Sequence, residues 1–383
     1  MKSARTVEYI VYTLLLLGVV FIYNSSAAHS QNIFGNPHRF FVLHVVWVVL
    51  SVAVFNIFIR LDYRKLINIS WGLYVVTLFL LLVLAVTGIV PCAASPRFAP
   101  CINNANRWLV LNFGNLVRVP FVADFNIQPS ELAKYVLILF LALKLGGGRK
   151  KDSSVNFKAY LIYTLVFSGL ILLQPNMSTA LIIISVGTIM FFVSGADIKP
   201  LLVLIPFALL ISVLLVLVSP YRRDRLLSFL GNSTTGTQAP EGYQVKQVKI
   251  ALGSGGVFGV GFGQSRQKYT YLPEVATDSI FGIIGEEFGF LGTAALLSIF
   301  MFLVFQGFEI GRKCEHLEGR LVAIGITSWI GLQFLVHVSA NSGLIPYTGV
   351  PLPLISYGGS SMLFSMIGLG TLVNIGRQNK YNS

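Results

Sequence analysis

Four carboxylates lie within one short segment of the sequence, YLPEVATDSIFGIIGEEFG. Glu274 and Asp278 precede an apolar run, and Glu286 and Glu287 lie inside it. The whole chain has only 15 acidic residues among 383, so this grouping is unusual. A carboxylate that acts as a general base must reach a hydroxyl group with a suitable pKa, and Asp278 is the candidate. Alternatively, Thr277 or Asp278 could cap the following helix, because short polar side chains stabilise helix N-termini.

A second polar group opens another apolar segment, in the motif QPSELAK. Glu131 and Lys134 are three residues apart, so they share one face of a helix. A charge at the centre of a membrane span costs about 2.5–3.5 kcal/mol, so Lys134 must be paired or line a hydrated cavity. The pair could be structural, with Lys134 extending to the membrane surface, or it could bind an anionic ligand there.

Positive charge is concentrated between residues 220 and 278, where it could contact lipid phosphates or an anionic substrate. Within this region, the pattern YQVKQVKIAL predicts a short amphipathic helix at the membrane interface. The run GSGGVFGVGFGQS has neither a Walker lysine nor a βαβ unit around it, which favours a tight re-entrant loop over a phosphate site. The basic residues of this region are Arg222, Arg223, Arg225, Lys246, Lys249, Arg266 and Lys268.

Prolines and glycines exclude a regular helix from the segment NSGLIPYTGVPLPLISYGGSS, residues 341–361. Irregular backbone at membrane depth survives only where it is buried in protein or lines a cavity, so this segment should fold into the mouth of the protein. Gln174, Pro175 and Asn176 predict a very tight turn in the same way.

The cysteines do not have the spacing of a metal site, because few other cysteines or histidines lie near them. Cys92 and Cys101 lie nine residues apart in one predicted loop. They could form a disulfide if that loop faces an oxidising compartment.

The composition predicts the class of protein that must position these residues. The chain is 55% hydrophobic and 11% charged, whereas soluble domains have about 25% charged residues, so the bilayer must be the solvent. We therefore expect an all-α, polytopic integral membrane protein with a single domain, residues 1–383. The first span could be a cleaved signal peptide, but ten uncleaved spans are favoured. They lie near 8–27, 40–59, 67–90, 130–146, 159–174, 177–195, 200–219, 279–307, 321–341 and 357–376.

Loop charge predicts the orientation of these spans, because cytoplasmic loops are enriched in lysine and arginine. With ten spans, most basic residues of the short loops fall on one side, together with both termini, which we expect to be cytoplasmic. Residues 91–129, a large loop at 220–278 between spans seven and eight, and residues 342–356 are then extracytoplasmic. The acidic segment consequently lies at the extracytoplasmic end of span eight.

The motifs together resemble the SEDS family, the membrane proteins of shape, elongation, division and sporulation. QPSELAK, GYQVKQVKIALGSGG, GVGFGQSRQKYTYLPE, TDSIFGIIGEEFG and LPLISYGGSS carry the resemblance, in this order and over nearly the whole chain. GQSRQKYTYLPE and the closing GTLVNIGRQ are more similar to the division member than to the elongation member.

This resemblance implies a peptidoglycan glycosyltransferase that polymerises lipid II into β-1,4-linked strands at the outer face of the bacterial cytoplasmic (inner) membrane. The implied partners are a class B penicillin-binding protein and other division or elongation proteins, and no nucleic acid. A divalent cation, Mg²⁺ or Mn²⁺, could take part. Two alternatives are a flippase for lipid II and a non-catalytic scaffold for the penicillin-binding protein.

The resemblance also assigns roles to residues. Asp278 matches the family's essential acid, and Ala276 and Asn176 stand where the family commonly has histidine and aspartate. In this interpretation Asp278 takes the proton of the attacking hydroxyl or orients the acceptor, and positive charge stabilises the diphosphate leaving group. The expected substrate-binding residues are Glu131, Lys134, Arg222, Arg225, Lys246, Lys268, Glu274, Ser356, Gly358, Gly359 and Ser360.

Overall fold

The computed structural model describes residues 2–102, 105–112, 124–146, 153–196, 223, 229, 240–269 and 275–378. The predicted span at 200–219 and the site candidates Arg222, Arg225 and Glu274 lie outside these residues. The α-helices in chain order are α1 (Lys2–Phe34), α2 (Arg39–Arg60), α3 (Tyr63–Asn68), α4 (Ser70–Thr87), α5 (Pro129–Gly146), α6 (Ser153–Leu173), α7 (Met177–Val193), α8 (Pro240–Gly255), α9 (Ile280–Arg312), α10 (Leu317–Ser342) and α11 (Gly359–Gln378).

The helices confirm an all-α, multi-pass membrane protein. Within the described residues, α1, α2, α4, α9, α10 and α11 are long and apolar enough to cross a bilayer, and α6 and α7 contain shorter apolar stretches. Apart from 200–219, each predicted span coincides with a helix, and α1 packs into the bundle through Val7, Val11 and Leu14. The short helix α3, between α2 and α4, was not predicted.

The centre of the bundle consists of α5, α10 and α11. The most apolar windows of α10 and α11 are 72% and 83% buried, whereas those of α2 and α4 are 28% buried and so have large lipid-facing surfaces. Nearly every side chain of α5 is buried. A helix surrounded by protein on all sides can hold charged residues if partners lie nearby, and α5 holds both Glu131 and Lys134.

The start of α1 and the end of α11 lie at the same end of the bundle. Arg377 Nη2 is 2.6 Å from Glu8 Oε1, and the Asn374 amide donates to the Ile59 carbonyl at the end of α2, 2.8 Å away. A chain with an even number of spans must have both termini on the same side of the membrane, as these contacts show for this bundle. Asp278, just before α9, and Ser360, in the first turn of α11, lie at the opposite ends of these helices from Arg312 and Arg377.

A kink divides α9 after the two glutamates. Gly289 has φ 64° and ψ −160°, which breaks the helix, and residues 256–263, which we call the glycine loop, pack against the break. The Val260 N–H donates to Glu286 O at 3.0 Å, and the Phe290 N–H donates to Gly256 O at 2.9 Å. The predicted tight loop is therefore confirmed, since it satisfies backbone groups that the kink exposes, whereas its re-entry into the membrane stays a prediction.

Replacing Gly289 with alanine should destabilise the protein. Its backbone conformation is essentially restricted to glycine and costs other residues about 1–3 kcal/mol, and a Cβ atom would collide with the Gly259 backbone nitrogen. Gly253→Ala is the control, because nothing lies within 4 Å of its Cβ position in α8. We expect thermal unfolding in detergent to shift down for Gly289→Ala and to stay unchanged or rise for Gly253→Ala. Equal midpoints for the two variants would contradict this packing.

The segment between α4 and α5 has a disulfide and a small sheet. Cys92 and Cys101 are bonded, which confirms the pairing that their spacing allowed. Strands β1 (Leu109–Asn112) and β2 (Asp124–Ile127) form an antiparallel pair with Leu109 opposite Ile127, and this sheet was not predicted. Arg107 donates to the carbonyls of Gln174 and Pro175, at 3.0 and 2.7 Å, and so attaches this segment to the predicted tight turn between α6 and α7.

Candidate functional site

Asp278 lies two residues before α9, in the turn formed by residues 275–279. The helix begins at Ile280 and its cap position is Ser279, so the prediction that Thr277 or Asp278 occupies the cap is wrong. Gly349 lies against the carboxylate, and a Cβ atom there would be 3.1 Å from Asp278 Oδ2. The turn at Gly349 thus leaves space for the acid.

Three consecutive backbone carbonyls hold this turn in place. The Tyr357 N–H donates to Ala276 O at 2.8 Å, and the Ser356 hydroxyl donates to Thr277 O at 2.5 Å. The Asn341 amide donates to Asp278 O at 3.0 Å. Because the donors come from both α10 and the segment 343–358, the position of residue 278 is fixed from two sides.

A buried triangle of hydroxyl and amide groups connects this turn to α8. Gln244 Nε2 donates to Ser279 Oγ at 2.9 Å and to Tyr347 OH at 2.8 Å, and the two hydroxyls are 3.0 Å apart. On α8, Gln244 is buried, whereas Lys246 is exposed. The predicted helix is therefore confirmed, with Val248 and Ala251 also on its buried face, whereas its place at the membrane interface stays a prediction. The buried face reaches the neighbour of Asp278.

Truncating Ser356 should loosen the turn. Its hydroxyl donates to Thr277 O and accepts from the Leu352 N–H at 2.9 Å, so Ser356→Ala removes one hydrogen-bond partner from each of two backbone groups. Each group that this leaves unsatisfied costs about 1–3 kcal/mol, which should lower the thermal unfolding midpoint. Ser342→Ala removes only an exposed local bond to Ser339 O and should change the midpoint little. Similar shifts for both serines would refute the proposed importance of Ser356.

Glu131 and Lys134 form a buried ion pair, with Lys134 Nζ 2.7 Å from Glu131 Oε1. Lys134 also donates to Gln333 Oε1 at 2.8 Å and lies 5.0 Å from the centre of the Trp329 ring. Both members of the pair are 3% exposed, so the alternative in which Lys134 extends to the membrane surface is wrong. Glu131 Oε2 is buried without a hydrogen-bond partner among the described residues.

The SYGGSS motif joins the ion pair to the segment that leads into α5. Ser360 Oγ donates to Asn126 O at 2.8 Å and accepts from the Gln128 N–H at 3.1 Å. Gln333 Nε2 donates to Ser361 Oγ at 3.2 Å.

The two glycines of the motif have different surroundings. Gly359 packs directly on the Trp47 ring, where a Cβ atom would collide, whereas the Cβ position of Gly358 has ordinary contacts.

One face of α10 links the ion pair of Glu131 and Lys134 to the turn that holds Asp278. Sequence reasoning missed this face. Trp329, Gln333, His337 and Asn341 are four residues apart in succession and are all buried. His337 Nδ1 is 2.7 Å from Val350 O, so this face also binds the irregular segment. Polar residues repeated at helical spacing within an apolar span are the signal that could have identified it.

Glu286 and Glu287 belong to a separate buried network that folds the loop after the glycine loop. The Glu286 carboxylate accepts from Ser265 Oγ at 2.5 Å and from the Arg266 N–H at 3.0 Å. Glu287 is 3.2 Å from Lys268 Nζ, which also donates to Asn24 Oδ1 at 2.8 Å and Gly263 O at 2.7 Å. Both carboxylates thus have polar partners inside the bundle.

The structure therefore brings Asp278, Ser356, Ser360, Glu131 and Lys134 into one connected region through α10 and the segment 343–358. Lys268 is buried and donates to its own loop. Tyr357 lies at the edge of the region, where burial raises the pKa of its phenol and the nearby Arg39 partly opposes that rise. Its ring packs edge-on against Phe40, with centroids 5.1 Å apart.

Comparisons with known proteins agree with this architecture. A solved structure from a study of polymerisation and crosslinking by a peptidoglycan synthase complex superimposes with a TM-score of 0.76 and 28% identity, covering 97% of both chains. The rod shape determining protein RodA of Thermus thermophilus superimposes with a TM-score of 0.67 and 26% identity, covering 97% of this chain and 96% of that one.

Sequence relatives cover the same length. The probable peptidoglycan glycosyltransferase FtsW of Aliivibrio salmonicida is 34% identical over 378 residues, which are 97% of this chain and 88% of the relative. Stage V sporulation protein E of Bacillus subtilis is 33% identical over 384 residues, which are 99% of each. The family model FTSW_RODA_SPOVE, described as Cell cycle protein, matches residues 5–381. The chain belongs to the FtsW/RodA/SpoVE family, which is the SEDS family that its motifs resemble.

Proposed function

We propose that this chain is a peptidoglycan glycosyltransferase that polymerises lipid II into β-1,4-linked glycan strands, most similar in sequence to division enzymes. The relatives named as probable peptidoglycan glycosyltransferases support this activity over nearly the full chain. The observation that carries the proposal in this molecule is the fixed position of Asp278, whose turn is held by three hydrogen bonds from α10 and the segment 343–358.

The chemistry explains why one acid at this place is useful. In lipid II the sugar is α-linked to a diphosphate, and the 4-hydroxyl of the acceptor sugar attacks the anomeric carbon. The new C–O bond is β, the bond to the diphosphate breaks, and the hydroxyl loses a proton. We propose that Asp278 accepts this proton, a role that typically contributes about 10²–10⁴-fold to the rate.

The fixed backbone position of Asp278 supports this role, because a base is effective only in the correct geometry. The backbone carbonyls of residues 276, 277 and 278 accept their bonds from donors on two other elements, so the carboxylate need not be ordered when the substrate binds. The family commonly has a histidine where this chain has Ala276, which is buried here. In this proposal Asp278 accepts the proton without help from an imidazole at position 276.

Positive charge must also offset the negative charge that develops on the departing diphosphate. Arg222 and Arg225, and the exposed Lys246 on α8, are our candidates to bind the diphosphate or lipid phosphates. Lys134 is buried and paired with Glu131, so we expect it to act by holding the SYGGSS region rather than by direct contact. Glu274 remains a substrate-binding candidate beside Asp278 in sequence.

A divalent cation remains a prediction for this site. Among the residues that the structure describes, no three histidine, cysteine, aspartate or glutamate side chains converge as a metal-binding group would require. Asp278 alone does not provide a site for Mg²⁺ or Mn²⁺.

We further propose that the site faces the outside of the bacterial cytoplasmic membrane and that both termini are cytoplasmic. The excess of basic residues in the loops at the terminal end supports this orientation. A class B penicillin-binding protein is our proposed partner, because the similar solved structure comes from a peptidoglycan synthase complex. Other division or elongation proteins would join the same assembly.

The test is an assay of the purified chain in vesicles that contain fluorescent lipid II, with and without the penicillin-binding protein. We expect a ladder of glycan strands on a gel and no transfer of lipid II between leaflets. Leaflet transfer without polymer would support the flippase alternative. Absence of both, with intact binding of the penicillin-binding protein, would support the scaffold alternative.

A further inference from the structure

The glycine loop has an apolar surface that none of the proposed chemistry uses. Val257, Phe258, Val260 and Phe262 are 55%, 80%, 44% and 53% exposed. Glycines separate these residues in the sequence GVFGVGFG, so no large polar side chain interrupts the surface. Four large apolar side chains on one short loop form an exposed patch that requires an occupant.

Hydrogen bonds place this patch at a definite height along α9. The Phe290 N–H donates to Gly256 O at 2.9 Å, and the Leu291 N–H donates to Val257 O at 3.1 Å. Phe290 and Leu291 are themselves 66% and 51% exposed on the outer surface of α9, so the two apolar surfaces are continuous.

The length of α9 relates that height to the bilayer. Glu309 and Arg312 form an ion pair at the far end of the helix, which marks one polar boundary. A hydrocarbon core of about 30 Å corresponds to about 20 helical residues, and counting back from Glu309 reaches Gly289. Phe290, Leu291 and the glycine loop beside them therefore lie at the opposite boundary of the hydrocarbon.

We propose that the glycine loop inserts into the lipid leaflet on the side of Asp278, with Phe258 and Phe262 in contact with acyl chains. Four of its backbone groups pair with α9 around the kink, which lowers the cost of placing this backbone in lipid: the N–H groups of residues 260 and 261 donate to α9, and the carbonyls of residues 256 and 257 accept from it. Lipid is favoured as the occupant because the patch continues the lipid-facing surface of a membrane span. Anchoring this loop would hold α8, which leads into it, at the surface of the membrane.

Spin labelling in nanodiscs tests the proposal directly. Labels would be placed through Phe258→Cys and Phe262→Cys, with Phe302→Cys on the exposed middle of α9 as the hydrocarbon reference and Gln264→Cys as the polar control. Cys314 is buried and Cys92 is bonded to Cys101, so native thiols do not compete. We expect the ratio of oxygen to nickel-complex accessibility at 258 and 262 to exceed that at 264 several-fold and to approach that at 302.

Two results would overturn the proposal. A ratio at 258 and 262 equal to that at 264 would place the loop in water. Low accessibility to both reagents would mean that protein covers the patch. If the variants fail to fold, a carbene reagent dissolved in the bilayer can be applied to the unmodified protein, and modification of 264–269 but not 256–263 would equally refute it. None of these results depends on glycosyl transfer.

Discussion

Asp278→Ala is expected to reduce lipid II polymerisation by about 10²–10⁴-fold, because a general base typically contributes that factor. Asp278→Asn should lose nearly as much, since an amide keeps the shape of the carboxylate but cannot accept the proton. Both variants should fold, because the backbone carbonyls of residues 276, 277 and 278 keep the hydrogen bonds that hold this turn. The measurement is the initial rate of strand formation by the purified complex with its penicillin-binding protein.

Glu309→Ala is the matched control for these variants. Glu309 is an acid on α9 at the opposite end from Asp278, where it pairs with Arg312 and Lys313 near the surface. Solvent-exposed pairs of this kind contribute little to stability, so its loss should leave the rate and the stability nearly unchanged. Polymerisation by Asp278→Ala at the rate of the Glu309→Ala protein would remove Asp278 from the mechanism.

The second large effect is expected from Lys134→Met. This change leaves the Glu131 carboxylate buried without its cation and removes a donor from Gln333. Breaking a buried ion pair by removing one partner costs about 3–5 kcal/mol, which should strongly lower the thermal unfolding midpoint in detergent. We also expect activity to fall, because Gln333 donates to Ser361 and to Pro351 O beside the site.

Two further variants separate the charge from the packing. The double variant Glu131→Gln with Lys134→Met has no buried charge and should recover much of the lost stability. Lys144→Met makes the same change in the last turn of α5, where the ammonium lies 5.3 Å from the Phe140 ring centre, and should cost about 0.5–1 kcal/mol. If Lys134→Met were no less stable than Lys144→Met, the buried pair would not have the structural importance given to it here.

The spans could be predicted from sequence because hydropathy measures the preference of a segment for lipid over water, and every helix that crosses the bilayer must have this preference. Contacts between residues close in sequence were equally predictable, since the three-residue spacing of Glu131 and Lys134 already placed them together on a helix face. The disulfide between Cys92 and Cys101 was an open possibility for the same reason. Each of these predictions depends on neighbours within about ten residues in the sequence.

The remaining features depend on contacts between distant segments. Nothing near Glu131 in the sequence indicates that Gln333 is the second partner of Lys134. The sheet of β1 and β2 escaped prediction because its strands are only four residues long and lie within a long loop. The cap position of α9 at Ser279 depends on Tyr347 and Gln244, which no local propensity can supply.

The side of the membrane on which Asp278 lies is tested most directly by thiol labelling of Asp278→Cys in intact spheroplasts. The control is Lys313→Cys, whose parent side chain is 62% exposed at the other end of α9. A membrane-impermeant maleimide should label residue 278 before permeabilisation and residue 313 only afterwards. Labelling of residue 313 in intact spheroplasts, with residue 278 reached only after permeabilisation, would place the acid in the cytoplasm and exclude polymerisation at the outer face.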